Sequence, residues 1–576
     1  MGFIVIIAYV VAMIALGFWA MRKTKTVGDF FLGGRSIGPW MSAFAYGTTY
    51  FSAVLFIGYG GKLGWGFGLH TMWIVAGNVL IGSFLAWLVL GRKTREMTAR
   101  LNALTMPAFL GERYKSQALK IAAAILIFLF LVPYSASVYM GLSYLFEKAL
   151  GVSYIQAIGL LALLTGVYLV MGGYFAVTLT DFLMGLMMIS GVGVMLALLT
   201  KSAGGIVHAT QLLTNWKVCS PALQPPPPGA PPGGIPGWMT LASLVVVTSL
   251  GAWGLPQIVQ KFYSIKSGDQ VKRAMVVATL FALVVTLGGY YTGALTHLNI
   301  PAYNTVRPNV PERGTVDVTT PEKPPQIGVL PRFHAYEPDT DAQFIYTDKS
   351  QLPLKMGPDG NPVMDPSGKP IVDWDRWIPK YLMEKLPPWM MIVVALLVFS
   401  ASMSTLSSLV LVSSSAIAMD LYGGILRPKA EKGSVLILMR VLCAMFVGLS
   451  LYIALRPPSY IITLMVISWG VLAGSFAAPY FYGLYWRRAT TIGAWAGMIV
   501  GVGAGVYLYK KLGVPGVPVA GAVSILLPFL IVPLVSLVTK PLDMKFLDGV
   551  FKVAPSIVNS ERSTVNSGTE ISTAGH

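Results

Sequence analysis

Apolar residues run through this chain in blocks of roughly 20, the length needed to cross a hydrocarbon core about 30 Å thick. Thirteen such blocks are found, near 2–21, 38–61, 69–91, 117–149, 153–171, 176–200, 238–258, 272–296, 388–418, 435–455, 460–484, 490–509 and 519–538. Only helices and closed barrels satisfy their backbone inside a bilayer, and blocks of this length predict helices. Two connections stand out. Residues 217–237 contain Pro225-Pro226-Pro227-Pro228 and Pro231-Pro232-Gly233-Gly234, a stiff extended stretch that cannot be helical. Residues 297–387 form a polar insert, in which Asp359-Gly360-Asn361-Pro362 predicts a small hairpin. The tail after Pro541 turns Ser-, Thr- and Gly-rich and is expected to be disordered.

Composition narrows the class. Of 576 residues, 55% are hydrophobic and 11% charged, with a mean hydropathy of +0.66. A soluble domain carries about 25% charged residues, so soluble enzymes, nucleic-acid-binding proteins and fibrous proteins are excluded. The net charge of +18 therefore reads as loop bias rather than a nucleic-acid patch. One set of alternate connections holds Arg22, Lys23, Lys25 and Arg35, then Arg92, Lys93, Arg95, Arg100, Arg113 and Lys115. It continues with Lys261, Lys266, Lys272 and Arg273, then Arg427, Lys429 and Lys432, and ends with Arg487-Arg488. The positive-inside bias places this set in the cytoplasm, with the N-terminus outside and the C-terminal tail inside a cell (plasma) membrane protein surrounded by lipid. The insert, on the outer face in this reading, holds half of the chain's 24 acidic residues. The first span, Phe3 to Ala20, is followed rather than preceded by basic residues and reads as a retained helix. Cys219 and Cys443 lie in a loop and a span, so no disulfide is expected between them.

Polar groups inside spans cost a few kcal/mol and point to function. The second span carries Gly47-Thr48-Thr49-Tyr50-Phe51-Ser52, with Gly58, Gly60 and Gly61 further on. Such a composition can release carbonyls from the helical ladder, although close helix packing through small residues explains it equally well. The ninth span carries Ser400-Ala401-Ser402-Met403-Ser404-Thr405-Leu406-Ser407-Ser408 and then Ser413-Ser414-Ser415. Hydroxyls in this number without a carboxylate suit a small hard cation such as Na⁺, with back-bonding to the helix as the alternative. Asp181 falls about one turn inside the cytoplasmic end of its span and reads either as an ion-exit residue or as a carboxylate facing water. Thr248-Ser249-Leu250-Gly251-Ala252-Trp253-Gly254-Leu255-Pro256-Gln257 predicts a second broken helix. Spans two to six and seven to eleven are two sets of five whose first members are the broken ones. An odd number per set forces opposite orientation, the pattern of an inverted-repeat transporter.

These motifs resemble the sodium:solute symporter family, which includes the proline, pantothenate and sodium–sugar carriers. The resemblance runs to about residue 505. It rests on Phe31-Leu32-Gly33-Gly34-Arg35-Ser36-Ile37-Gly38, on Leu104-Thr105-Met106-Pro107 with Arg113-Tyr114, and on Gly172-Gly173 through Thr180-Asp181. Met403-Ser404-Thr405-Leu406-Ser407 through Ser415, followed by Asp420-Leu421-Tyr422, completes it. The resemblance implies a leucine-transporter-type 5+5 inverted-repeat core, with one helix before it and two after. It also implies a sodium site formed by the carbonyls of Thr48, Phe51 and Ala401 and the hydroxyls of Ser404 and Thr405, with Asp181 on the sodium exit path. The substrate pocket would take in Tyr50, Ser52, Leu55, Ser249, Trp253 and Gln257. Proline carriers have an aspartate at Tyr50 and aromatic residues at Thr248 and Ala252, while sugar carriers have a glutamine at Leu55 and a tyrosine at Ala252. These departures argue against those substrates, while Thr49-Tyr50-Phe51-Ser52-Ala53 and Gly254-Leu255-Pro256 look more like the pantothenate and monocarboxylate branch, in which a carboxylate can sit at the positive end of a half-helix.

The expected organisation is an extra helix and loop over 1–37, a first repeat over 38–200 and a Pro-rich loop over 201–237. A second repeat follows over 238–486 with the insert 297–387 inside it, then two further helices over 487–540 and the tail 541–576. The expected activity is sodium-coupled import of a small organic solute by alternating access, with a carboxylate ahead of proline or another amino acid. A channel would show pore-lining repeats or charged rings, a sensor would need a signalling domain, and an enzyme would need a clustered catalytic site. The five histidines are scattered, so no cofactor or metal beyond sodium is expected, and neither a nucleic-acid nor a protein partner is inferred.

Overall fold

The computed structural model describes residues 2–21, 32–171, 174–214, 219–224, 234–299, 302–304, 345–347, 353–356, 361–364 and 370–551. The Gly172-Gly173 pair, most of the Pro-rich stretch, the hairpin tip 357–360 and the end of the tail lie outside them. The chain begins with α1 (Gly2–Met21), α2 (Pro39–Tyr50), α3 (54–67) and α4 (72–100). Next come the loop helix α5 (Met106–Arg113), α6 (Gln117–Leu150), α7 (Tyr154–Met171), α8 (Tyr174–Ser202) and the short α9 (Ile206–Leu213). The second set is α10 (Gly237–Ser249), α11 (Pro256–Ser264) and α12 (Val271–Leu295), then α13 (Trp377–Lys385), α14 (388–426), α15 (Lys432–Leu455) and α16 (Ile461–Tyr485). The chain closes with α17 (Thr491–Leu512), α18 (Val517–Val538) and α19 (Met544–Phe551). Helical segments stand at every predicted span. Ten stretches of the described residues are individually long and apolar enough to cross a membrane, one of them covering two predicted spans, so the count of thirteen is approximate.

The helix ends follow local chemistry. Ser116 caps α6 by accepting the Leu119 N–H, Thr105 caps α5 through Ala108, and Thr490 caps α17 through Gly493. Gly151 ends α6 in the left-handed region, φ 67°. Both predicted breaks are present. α2 ends at Phe51, which is extended at φ −111° and ψ 107°, and Ser52 restarts the helix by accepting the Val54 N–H on its hydroxyl. α10 ends in a tight turn over Leu250–Gly254, and α11 restarts with Pro256 at its first position.

Glycine spacing decides how closely the helices cross. Gly60 and Gly64 of α3 face Gly289 and Gly293 of α12: a Cβ on Gly64 would lie 2.4 Å from the Gly293 backbone, and one on Gly293 would lie 2.2 Å from the Gly60 carbonyl. This is small-residue packing at four-residue spacing on both partners. Both explanations offered for the second span are therefore correct, each for a different part of it. The stretch 47–52 breaks the helix, and the glycines beyond serve packing.

Contacts sort the connections onto two faces. On the basic face Arg35 donates to the carbonyls of Thr98 and Ala103, Arg95 to that of Ile265, and Arg100 to that of Val550. Arg113 is fully buried there and donates to the carbonyls of Gly483 (2.8 Å) and Trp486 (3.1 Å) at the end of α16. Beside it the Tyr114 hydroxyl donates to the Pro479 carbonyl, and Thr491 donates to the Tyr114 carbonyl. On the insert face Asp375 accepts the Ile461 N–H at the start of α16 at 3.1 Å, and Arg376 pairs with Glu147 at 3.1 Å. Residues flanking the predicted hairpin pair antiparallel, Met356 opposite Pro362. A short antiparallel pair, Ala302–Asn304 with Ile345–Thr347, completes the described part of the insert. Both cysteines are free and buried.

Candidate functional site

The break after α2 lies against the hydroxyl-rich middle of α14, where every residue from Ser400 to Ser415 is buried. Hydroxyls in such a place must find acceptors. Ser400, Ser402, Ser407 and Ser415 bond back to their own helix. Ser404 and Thr405 do so too, and also reach across. Each lies 3.0 Å from the Thr48 carbonyl, and they lie 3.3 Å and 3.0 Å from the Ala401 carbonyl. Two carbonyl and two hydroxyl oxygens thus converge at the contact between α2 and α14. Phe51, the fifth expected member, stands at the break itself, with its N–H still bonded to the Gly47 carbonyl. An all-oxygen, uncharged cluster at this spacing suits a small hard cation.

Asp181 is completely buried on α8 rather than facing water. Its Oδ2 lies 3.5 Å from Nζ of Lys261, whose side chain is 1% exposed. This corrects the assignment of Lys261 to a solvated basic loop. It belongs to α11, which folds back into the core after the break, whereas Lys266 and Lys272 lie beyond the helix end.

A small cavity of about 10 Å³, room for about one water, lies between the two breaks. Tyr50, Ser52 and Leu55 of the expected pocket line it, together with Asn78 of α4, Thr248, Tyr290 of α12, and Met465 and Trp469 of α16. Tyr50 reaches across it, its hydroxyl donating to the Thr248 carbonyl and lying 3.4 Å from Asn78 Oδ1. The Tyr59 hydroxyl has no hydrogen-bond partner there, and the Trp469 indole packs edge-on against the Tyr134 ring. The other three expected residues are not on its wall. Ser249 is one bond away through Asn78, Trp253 donates to the Ile81 carbonyl at 3.0 Å, and Gln257 is buried on α11. Asn78 was open to discovery from sequence as an amide inside an apolar span. Trp469 and Met465 carried no such signal.

The fold has counterparts among known proteins. A solved structure of a Na⁺-coupled sialic acid symporter, substrate-bound and outward-open, superposes on 94% of this chain and 98% of its own with a TM-score of 0.68 at 15% identity. This likeness shows the leucine-transporter-type fold. The chain is 26% identical over 502 residues to the osmoregulated proline transporter of Bacillus subtilis, covering 86% of this chain and 85% of that one. It is 28% identical over 503 residues to a sodium/pantothenate symporter of Escherichia coli, covering 86% and 88%. The sodium:solute symporter family matches residues 30–317 and 367–501. With most of its length matched and its helices long enough to make it a multi-pass membrane protein, the chain belongs to the sodium:solute symporter family.

Proposed function

We propose that this protein imports a small organic carboxylate, monocarboxylate- or pantothenate-like, together with Na⁺ by alternating access. The observation that carries the sodium half is the convergence of the Thr48 and Ala401 carbonyls with the Ser404 and Thr405 hydroxyls; the proposed site adds the carbonyl of Phe51, which stands at the break. Sodium is cargo here, held by oxygen dipoles alone. One charge moving down 100 mV supplies about 2.3 kcal/mol, so a single ion can drive strong accumulation. The basic face is cytoplasmic in this reading and the insert face external, with the N-terminus outside.

The carboxylate half rests on the cavity's chemistry. None of its lining residues is charged, and the unpartnered hydroxyl of Tyr59 is a donor for an anionic oxygen. One second reading has its own support: Tyr50, Phe51, Tyr59, Tyr290 and Trp469 give the cavity an aromatic wall that suits the ammonium of proline or another amino acid. The test is thermal stabilisation of the purified protein by a panel of carboxylates, amino acids and sugars, with and without Na⁺. Stabilisation by a carboxylate only in Na⁺ supports the first reading, and by an amino acid only in Na⁺ the second. A solute effect indifferent to Na⁺ removes the coupling.

A further inference from the structure

Lys261 lies where four helices meet. Its ammonium is 3.5 Å from Asp181 Oδ2 on α8, 3.1 Å from Ser408 Oγ on α14, and 5.1 Å from the centre of the Tyr174 ring. Ser408 Oγ is in turn 3.0 Å from Thr49 Oγ1 on α2. Thr49 adjoins Thr48, whose carbonyl receives Ser404 and Thr405, and Ser408 lies one turn along α14 from Ser404. Apart from the lysine, neither carboxylate oxygen of Asp181 has a hydrogen-bond partner among the described residues. A carboxylate and an ammonium buried together are held by one another, and removing either leaves an uncompensated charge.

We propose that Lys261 is a positioning residue of the cation site, a resident positive charge that neutralises Asp181 and, through Ser408 and Thr49, fixes the oxygens that receive the travelling ion. The proposal rests on the reading of that cluster as the sodium site. It changes the role of Asp181 from a free carboxylate on the exit path to the anchor of a built-in cation. It also ties α11, the helix after the second break, to α2, the helix before the first. A displacement of α11 that withdraws the ammonium loosens Ser408 and Thr49 together, so the inner end of the second broken helix controls how firmly the first holds its ion.

The test measures the Na⁺ concentration giving half-maximal thermal stabilisation of the full-length protein, against choline at constant ionic strength. Wild type is compared with Lys261→Met, Lys261→Arg, Ser408→Ala and the double variant Asp181→Asn/Lys261→Met. The expected result for Lys261→Met is a rise of about tenfold or more, with Lys261→Arg nearer to wild type. The double variant, which leaves no unpaired charge, should recover part of that loss. Ser408→Ala cuts the link to Thr49 without stranding a charge, and it should raise the value by roughly threefold to tenfold with little change in unfolding temperature without Na⁺. It thereby keeps the test decisive if Lys261→Met fails to fold. Wild-type Na⁺ dependence in Ser408→Ala overturns the proposal, as does a Lys261→Met variant that only unfolds at lower temperature with its Na⁺ response unchanged. A wild-type protein that Na⁺ does not stabilise overturns the sodium reading itself, and this inference with it.

Discussion

The Tyr50 hydroxyl donates to the carbonyl of Thr248, so a side chain at the end of one half-helix is bonded to the backbone of the other. The two breaks are therefore joined directly, with the cavity between them. Tyr50→Phe removes that bond while keeping the ring that stacks on Phe51 at 4.2 Å. A neutral hydrogen bond contributes about 1 kcal/mol, so solute affinity should fall roughly fivefold while Na⁺-induced stabilisation persists. Solute titrations of the thermal shift, run in saturating Na⁺, measure both.

Ser404→Ala combined with Thr405→Ala removes both hydroxyls that meet the Thr48 carbonyl. Uptake by proteoliposomes should lose its Na⁺ stimulation while the protein still folds. Sodium-dependent solute binding retained by the double variant would remove the site.

The crossing of α3 and α12 leaves no space for a methyl group. Gly293→Ala places its Cβ 2.2 Å from the Gly60 carbonyl oxygen, and overpacking of this kind costs about 1–3 kcal/mol. The unfolding temperature should drop clearly. Gly66→Ala, whose Cβ would meet only Ala222 at 3.5 Å, should show no such drop, which separates the crossing from glycine loss in general.

On the insert face, burial pushes the Asp375 carboxyl up to about 7, with the Ile461 N–H pulling it down and the Asp373 carboxylate adding to the rise. Lys62 and Lys355 also face it and lower it. A carboxyl released from this place would return to about 3.9, so the docked insert binds the proton more tightly. Docking is then strongest at low pH and weakens as pH rises from about 4 to about 7. Hydrogen exchange over 370–376, corrected for intrinsic rates, should show more protection at about pH 5 than at about pH 8. Asp375→Asn should flatten the difference.

The parts of this molecule legible in its sequence are those in which a residue type conflicts with its surroundings. Gly251, Gly254 and Pro256 announced the break in the seventh span, and the Gly-, Thr- and Ser-rich stretch 47–52 announced the break in the second. Ser404 and Thr405 announced a polar cluster, because hydroxyls buried in an apolar helix need acceptors. The pocket wall was legible only in part. Tyr50, Ser52 and Leu55 lie close to the first break, but Ser249 faces Asn78 just before the tight turn at Leu250–Gly254, Trp253 lies within that turn and Gln257 beyond it. Three residues per turn there, against 3.6 in the flanking helices, shifts the facing of everything beyond it. Lys261 was hidden for another reason. A lysine near the end of a span has the same composition signature whether it points into water or toward a carboxylate eighty positions earlier in the chain, and only the folded backbone distinguishes them.

The seat of Arg113 has a mechanical consequence. With the guanidinium clasping the last carbonyls of α16, and Tyr114 bonded to both Pro479 and Thr491, the α5 loop is fastened at its far end to a helix of the opposite half. Three residues later the same segment becomes α6. Any tilt of α16 at the basic face is delivered through this linkage to the start of α6, so two long helices from different repeats turn as one geared frame.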